Sequence, residues 1–121
     1  YSPNGNYYNL KTIFDSLNNT FFKGSLPQPV LGWSMHKSYS RLGFYSSEKN
    51  LLVISRIFDS RRVPQNVVEF LVFHEMLHIH LPAVKKNGRN CSHTSTFRKI
   101  ERTFPGYSDI DRWIKKHLHR L

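Results

Sequence analysis

The stretch EFLVFHEMLHIHLPA, residues 69–83, places three histidines and two glutamates inside a run that is otherwise apolar. An apolar run of this length, preceded by Pro64 and stopped by Pro82, is typical of a buried helix, and we predict a helix over residues 64–80. Titratable side chains are costly to bury unless they bind a partner or a metal ion. The stretch therefore predicts a core helix that also carries a functional site.

His74, Glu75 and His78 form the pattern H-E-x-x-H within this predicted helix. Residues four apart lie on one helix face, one turn apart, so both imidazoles can reach a single metal ion. Zinc binds neutral imidazole nitrogens readily, and in peptidases with this pattern the glutamate is the general base. The spacing predicts one zinc ion held by His74 and His78, with Glu75 as the catalytic residue that takes a proton from water.

A catalytic zinc site needs a third protein ligand. Val84 stands where the metzincin pattern has its third histidine, so that subclass is excluded. His93 follows a loop long enough to turn the chain and begins the next predicted helix, and we predict it as the third ligand. Glu101, two turns further on, is the alternative and would make the site gluzincin-like; otherwise it is an exposed partner of a neighbouring arginine. The other downstream candidates are His80, on the far side of the helix from His78, and Asp109, Asp111, His117 and His119.

The remainder of the chain predicts the other elements of a small α+β fold. Apolar residues at helical spacing predict a first helix over residues 8–22, and PVLGWSM predicts a strand. LGFYSSEKNLLVIS predicts two more strands joined by a polar turn at residues 47–50. Residues 82–92 are predicted as a loop.

Two C-terminal helices complete the predicted order. One carries the apolar stripe Phe97, Ile100 and Phe104, and the other runs through residues 110–118. We therefore predict a compact zincin-like α+β domain with a small, mainly antiparallel three-stranded sheet, spanning residues 1–121 as one domain.

The chain is strongly basic, with 18 Lys and Arg against 8 Asp and Glu and a formal net charge of +10. Such a charge attracts polyanions, and the basic residues are spread along the chain rather than gathered in a tail. A folded basic face that binds nucleic acid is therefore one expectation, and an ordinary basic surface is the other.

Cys91 is the only cysteine, which excludes an internal disulfide and fits the cytoplasm or another reducing intracellular compartment. A thiolate there could also quench the zinc site, although a small, partly buried thiol is the commoner state. No apolar run approaches the roughly 20 residues of a membrane span, and no signal peptide is visible. We expect a monomer with no membrane association.

Several tracts resemble the SprT-like zinc metallopeptidases and the related YgjP-like metallohydrolases. LNNTFFKGSLPQPVLGWS is similar to the family's first helix, F-F pair and strand, and RLGFYSSEKNLLVISRIF to its strand pair. LVFHEMLHIHL resembles the catalytic helix, and NCSHTSTFRKIERTFPGYSDIDRWIK is similar to the C-terminal part of the YgjP-like branch. The chain departs from many SprT-like proteins in having Thr94 rather than glycine after the third histidine.

The resemblance implies His74, His78 and His93 as zinc ligands, Glu75 as the catalytic acid/base and a protein or peptide as the substrate. DNA-dependent cleavage of crosslinked proteins is known for the Spartan branch, so the resemblance includes DNA-associated proteins among the expected substrates. The competing hypothesis is a basic nucleic-acid-binding module with a structural zinc site. Tyr107, His36 and Tyr45 are the alternative candidates for the residue that stabilises the oxyanion.

Overall fold

The computed structural model describes residues 1–121 and contains four α-helices, five strands and two short 3-10 turns. The helices are α1 (Leu10–Phe22), α2 (Gln65–His80), α3 (Ser95–Glu101) and α4 (Tyr107–His117). The strands are β1 (Val30–Trp33), β2 (Gly43–Ser46), β3 (Leu51–Ile54), β4 (Val84–Lys86) and β5 (Arg89–Cys91). The predicted α+β class, the N-terminal helix, the central helix and the two C-terminal helices are confirmed.

Helix α2 is the centre of the molecule and contacts α1, α3, α4 and the sheet strands β2 and β3. Nine of its sixteen residues are buried, which explains why its sequence is apolar on nearly all sides rather than on one stripe. Apolar side chains from all four helices and the sheet join one continuous core around it. None of the helices combines the length and the apolar character that a membrane crossing requires.

The three-stranded sheet is mixed, with the order β1, β3, β2. β2 and β3 form the predicted antiparallel hairpin, with the turn at residues 47–50, but β1 runs parallel to β3. The prediction of a mainly antiparallel sheet was therefore wrong in this respect. Residues 34–42 carry the chain from β1 to the opposite edge, so β3 returns between the two earlier strands, and strand periodicity does not report that order.

Residues 82–92, predicted as a loop, contain the antiparallel pair β4 and β5. Asn87 and Gly88 link the two strands with φ of 53° and 77°, the left-handed pair that a tight type I′ turn requires. Asn-Gly is a strong hairpin signal when alternating apolar residues flank it. Here lysines and arginines flank it instead, so the sequence did not indicate two strands. The hairpin separates the end of α2 from the segment that carries His93.

The two outer edges of the three-stranded sheet differ. Along β1, the Trp33 backbone N–H donates to the Ser2 carbonyl at 3.3 Å, and the Trp33 indole N–H donates to the Pro3 carbonyl at 3.2 Å. The N-terminal segment thus covers the edge at β1. The β2 edge pairs with no other strand.

Candidate metal centre and active site

Three imidazoles converge where α2 passes the start of α3. His74 and His78 lie one turn apart on α2, and His93 lies two residues before α3. The ring centroids are 5.1 Å apart for His74 and His78, 5.1 Å for His74 and His93, and 4.9 Å for His78 and His93. The three side chains therefore form a nearly equilateral cluster.

The nitrogen atoms of this cluster fit one metal ion. One nitrogen from each ring lies within 4.8 Å of the other two, and Nε2 of His78 lies 3.1 Å from Nε2 of His93. Tetrahedral zinc with bonds of about 2.0–2.1 Å would hold two such nitrogens about 3.3 Å apart. The predicted ligands His74, His78 and His93 are thus brought together in a geometry that suits zinc.

Phe97 forms the floor of the cluster. Its ring is fully buried, with its centroid 5.1 Å from His74, 4.6 Å from His78 and 5.1 Å from His93. Thr94 caps α3 by accepting a hydrogen bond from the Phe97 backbone N–H at 3.2 Å. The first turn of α3 therefore fixes the ring against which all three imidazoles pack.

Glu101 lies beside the cluster and contacts the outward nitrogen of one imidazole. Its Oε2 forms a hydrogen bond with Nδ1 of His74, so Nε2 of His74 is the nitrogen left for a metal. A carboxylate that accepts a hydrogen bond from a ligating histidine fixes the ring's tautomer and orientation. The structure thus places Glu101 in this supporting position rather than among the three clustered ligand atoms.

The protonation of the imidazoles differs within the metal-free cluster. Burial and the neighbouring imidazoles His74 and His93 lower the pKa of His78 to about 4. Burial, with the charge of His74, also lowers the pKa of His93. Burial alone would lower the pKa of His74, but the hydrogen bond to Glu101 and the charges of Glu75 and Glu101 outweigh this effect and raise the pKa. His78 and His93 are therefore neutral and ready to bind a metal at pH 7.

Glu75 is buried next to this cluster. Its Oε1 lies 4.0 Å from Nε2 of His78, and its side chain lines the same cleft as the three histidines. Burial raises the pKa of Glu75 to about 7, against the opposing charges of His74 and Arg41. A carboxyl group with such a pKa can both accept and return a proton near neutral pH.

The cleft is bounded on one side by β2 and on the other by the end of α2 and the segment before His93. It has a volume of about 390 Å³ and is lined by Arg41, Gly43, Phe44, Tyr45, Ser47, His74, Glu75, His78, Ile79, Pro82, Ala83, Ser92 and His93. A Cβ atom added to Gly43 would lie 3.2 Å from Oε2 of Glu75. The absence of a side chain at Gly43 therefore lets β2 lie against the catalytic candidate.

The chain belongs to the SprT-like family. The family's sequence profile matches residues 10–110, which include all four predicted site residues. A search of curated proteins found no match. The structure is similar to that of the metallopeptidase zymogen jannalysin of Methanocaldococcus jannaschii, with a TM-score of 0.66, 13% sequence identity, and coverage of 100% of this chain and 97% of that one. At this identity the likeness shows a shared fold.

The other sequence candidates of this SprT-like chain contribute no atom to the three-histidine cluster. His80 is exposed and makes an edge contact with Phe22 at 5.3 Å, consistent with its position on the far side of the helix. Cys91, on β5, is not among the clustered ligand atoms. Of the oxyanion candidates, Tyr45 lines the cleft, Tyr107 lines a neighbouring cavity with His74 and Glu101, and His36 lines neither.

Arg41 and Gly43 are cleft residues that the sequence did not single out. Neither residue belongs to a metal-binding pattern, and their position follows from the packing of β2 against α2. The available sequence signal was the placement of a glycine and an arginine at the start of a predicted strand, which is too common to indicate a site.

Proposed function

We propose that this SprT-like chain is a zinc-dependent peptidase in which His74, His78 and His93 hold one zinc ion and Glu75 is the general base. The observation that carries the proposal is the convergence of three imidazoles in a cleft that also contains a buried carboxyl group. A bound zinc ion would polarise the substrate carbonyl and lower the pKa of water in the site.

Glu75 would perform the proton transfers. It lies beside His78, so it can accept a proton from water as the water attacks the carbonyl carbon. The same carboxyl group would then donate that proton to the leaving amine. Glu75 is buried and lies against Gly43 of β2, and this packing restricts its side chain in a way that favours both transfers.

The free edge of β2 is the proposed binding site for the peptide backbone. The Ser55 N–H donates to the Leu42 carbonyl across the hairpin. Because successive residues of an antiparallel strand direct their backbone N–H and C=O groups to opposite sides, those of Gly43 and Tyr45 are directed away from β3. Gly43 and Tyr45 line the cleft. An extended peptide could therefore add to β2 as a further strand, with a peptide bond next to Glu75.

The metal assignment is tested by elemental mass spectrometry on identically prepared wild type, His93→Ala and Glu101→Ala. We expect about one zinc per chain in the wild type, loss in His93→Ala and retention in Glu101→Ala, because Glu101 supports a ligand without being one. Zinc lost with Glu101 but kept without His93 would overturn the three-histidine assignment.

The catalytic assignment is tested with Glu75→Gln and a mixed peptide library analysed by mass spectrometry. We expect this variant to keep its zinc and to cleave at least about 100-fold more slowly than wild type, because the amide cannot act as a general base. Hydrolysis at the wild-type rate by the zinc-loaded variant would refute the proposed mechanism.

Nucleic acid is a second proposed partner, favoured by the cationic hairpin of β4 and β5. Lys85, Lys86 and Arg89 are all exposed, and none of them pairs with a carboxylate. If zinc is structural and this surface supplies the function, oligonucleotide binding should weaken steeply with salt and persist in Glu75→Gln. Binding that coexists with peptidase activity would make DNA-associated proteins the proposed substrates.

A further inference from the structure

Arg41 is a charged residue of the cleft wall that the zinc site does not explain. It is exposed and lines the same cleft as Glu75 and the three histidines. It forms no ion pair, because the ion pairs of this chain involve other cations. Its positive charge is therefore available to a molecule that enters the cleft.

The Arg41 guanidinium is held in place without using its hydrogen-bonding capacity. Its central carbon lies 4.2 Å from the centroid of the Phe44 ring. A guanidinium over an aromatic face keeps N–H groups free at its edge, and those groups match the two oxygens of a carboxylate. Phe44 thus positions an unoccupied bidentate donor.

Arg41 is also close to the reaction centre. Gly43, two residues later, lies against Glu75, and the charge of Arg41 helps to oppose the effect of burial on the pKa of Glu75. Glu75 is the only carboxylate that lines the cleft, and its proposed role is proton transfer. Glu48 lines a neighbouring cavity together with Arg41 but forms no ion pair with it, so Arg41 has no paired carboxylate.

We propose that Arg41 is a specificity-determining residue that binds an acidic side chain of the substrate, so that the cleft selects peptides with Asp or Glu near the scissile bond. The inference rests on the proposed peptidase function. A peptide extended along β2 directs alternate side chains to the same face. One position of the peptide should therefore meet Arg41, and its immediate neighbours in sequence should not.

The test compares internally quenched peptides built on a sequence that the zinc-loaded wild type cleaves. A single Glu is moved through the positions on both sides of the cleaved bond, and each peptide has a Gln counterpart. We expect kcat/KM to be about tenfold higher for Glu than for Gln at one position in the wild type, because a carboxylate would pair with the guanidinium. The ratio should fall to about one in Arg41→Gln and be partly retained in Arg41→Lys.

The ratio of two peptides in the same protein is the deciding quantity. Removing Arg41 also changes the electrostatics of Glu75, but that change affects both peptides of a pair equally. Arg61→Gln is the matched control, because Arg61 is exposed and lies outside the cleft lining. It removes the same charge and should leave the ratio unchanged. Arg41→Glu should reverse the preference in favour of a peptide with Lys at the same position.

Two outcomes would overturn the inference. The first is a ratio near one at every position in the wild type, and the second is a preference that survives in Arg41→Gln. If the preference survives while both peptides of a pair lose rate equally, Arg41 belongs to the reaction itself and not to substrate selection.

If no peptide is cleaved, the proposed function fails separately, and binding decides the inference. Fluorescence anisotropy with labelled Glu and Gln peptides would then be measured on the zinc-loaded wild type and Arg41→Gln. Binding that requires both Glu and Arg41 supports the inference. Equal binding of the Glu and Gln peptides overturns it. Arg41-dependent binding of a single-stranded oligonucleotide, without any preference for the Glu peptide, also overturns it.

Discussion

Glu101 forms a hydrogen bond that would orient His74 as a metal ligand. Its carboxylate forms a hydrogen bond with Nδ1 of His74, which leaves Nε2 as the nitrogen available to a metal ion. We predict that Glu101→Gln retains the fold but weakens zinc binding about 10- to 100-fold, because the ring loses its orientation and part of its basicity. Competition with a fluorescent zinc chelator at pH 8 measures the change. Arg102→Gln, next to it in sequence, is the control and should bind zinc as the wild type does.

Glu101 should also govern the pH dependence of the proposed zinc binding. Because the pKa of His74 is raised in the metal-free protein, a proton competes with zinc at His74 at a higher pH than at an ordinary histidine. Zinc affinity should therefore rise with pH and level off only above the raised pKa. Glu101→Gln removes the charge of Glu101 and its hydrogen bond as a carboxylate, while the charge of Glu75 remains. Affinity should therefore level off at a lower pH than in the wild type. Identical pH profiles for the two proteins would contradict this coupling.

The contact between β2 and α2 sets the position of Glu75, the proposed general base. A methyl group on Gly43 would lie 3.0 Å from the Val53 carbonyl oxygen and 3.2 Å from Oε2 of Glu75. We predict that Gly43→Ala displaces Glu75 and lowers peptidase activity at least about tenfold, while zinc content stays near one per chain. Activity assays and elemental analysis on the same samples check both parts.

Gly88→Ala is the matched control for that glycine. Gly88 has a φ of 77°, and nothing lies within 4 Å of an added Cβ. The substitution should therefore cost about 1 kcal/mol of local strain in the hairpin turn without moving Glu75. If Gly88→Ala lost as much activity as Gly43→Ala, general destabilisation rather than the position of Glu75 would explain both results.

The elements differ in how far sequence alone could predict them. Helix α2 was predicted over residues 64–80 and spans Gln65–His80, because an apolar run between two prolines fixes both ends locally. The strand order could not be predicted, since alternation specifies faces and not neighbours. Arg41 becomes part of the cleft only because β2 packs against α2, and Glu101 reaches His74 only because α3 packs against α2. Such features depend on tertiary contacts and leave no local signal.

Asp59 joins the N-terminal segment to the core. Its carboxylate accepts hydrogen bonds from the backbone N–H groups of Asn6, Tyr7 and Tyr8 at 2.6, 2.9 and 3.1 Å. We predict that Asp59→Asn lowers the free energy of unfolding by about 2 kcal/mol, since these bonds are made to a charged acceptor. Urea denaturation followed by circular dichroism measures it.

The control for Asp59 is Asp15→Asn, which breaks only the exposed pair with Lys11 at 2.9 Å. An exposed pair of this kind contributes about 0–1 kcal/mol. Equal and small losses in the two variants would show that the anchoring of the N-terminal segment contributes little to stability.

The two edges of the sheet also bear on self-association. The outer edge of β2 pairs with no strand, and such an edge can pair with any extended chain. The edge that would accept a peptide could therefore equally accept β2 of a second molecule. Arg41 and Lys49 flank that edge with Glu48 as the single acid among them, so the edge carries a net positive charge and two copies approaching edge to edge would repel each other. The cations beside the cleft would thus keep the strand open to substrate while discouraging aggregation, and neutralising both should make the protein more prone to form β-rich assemblies.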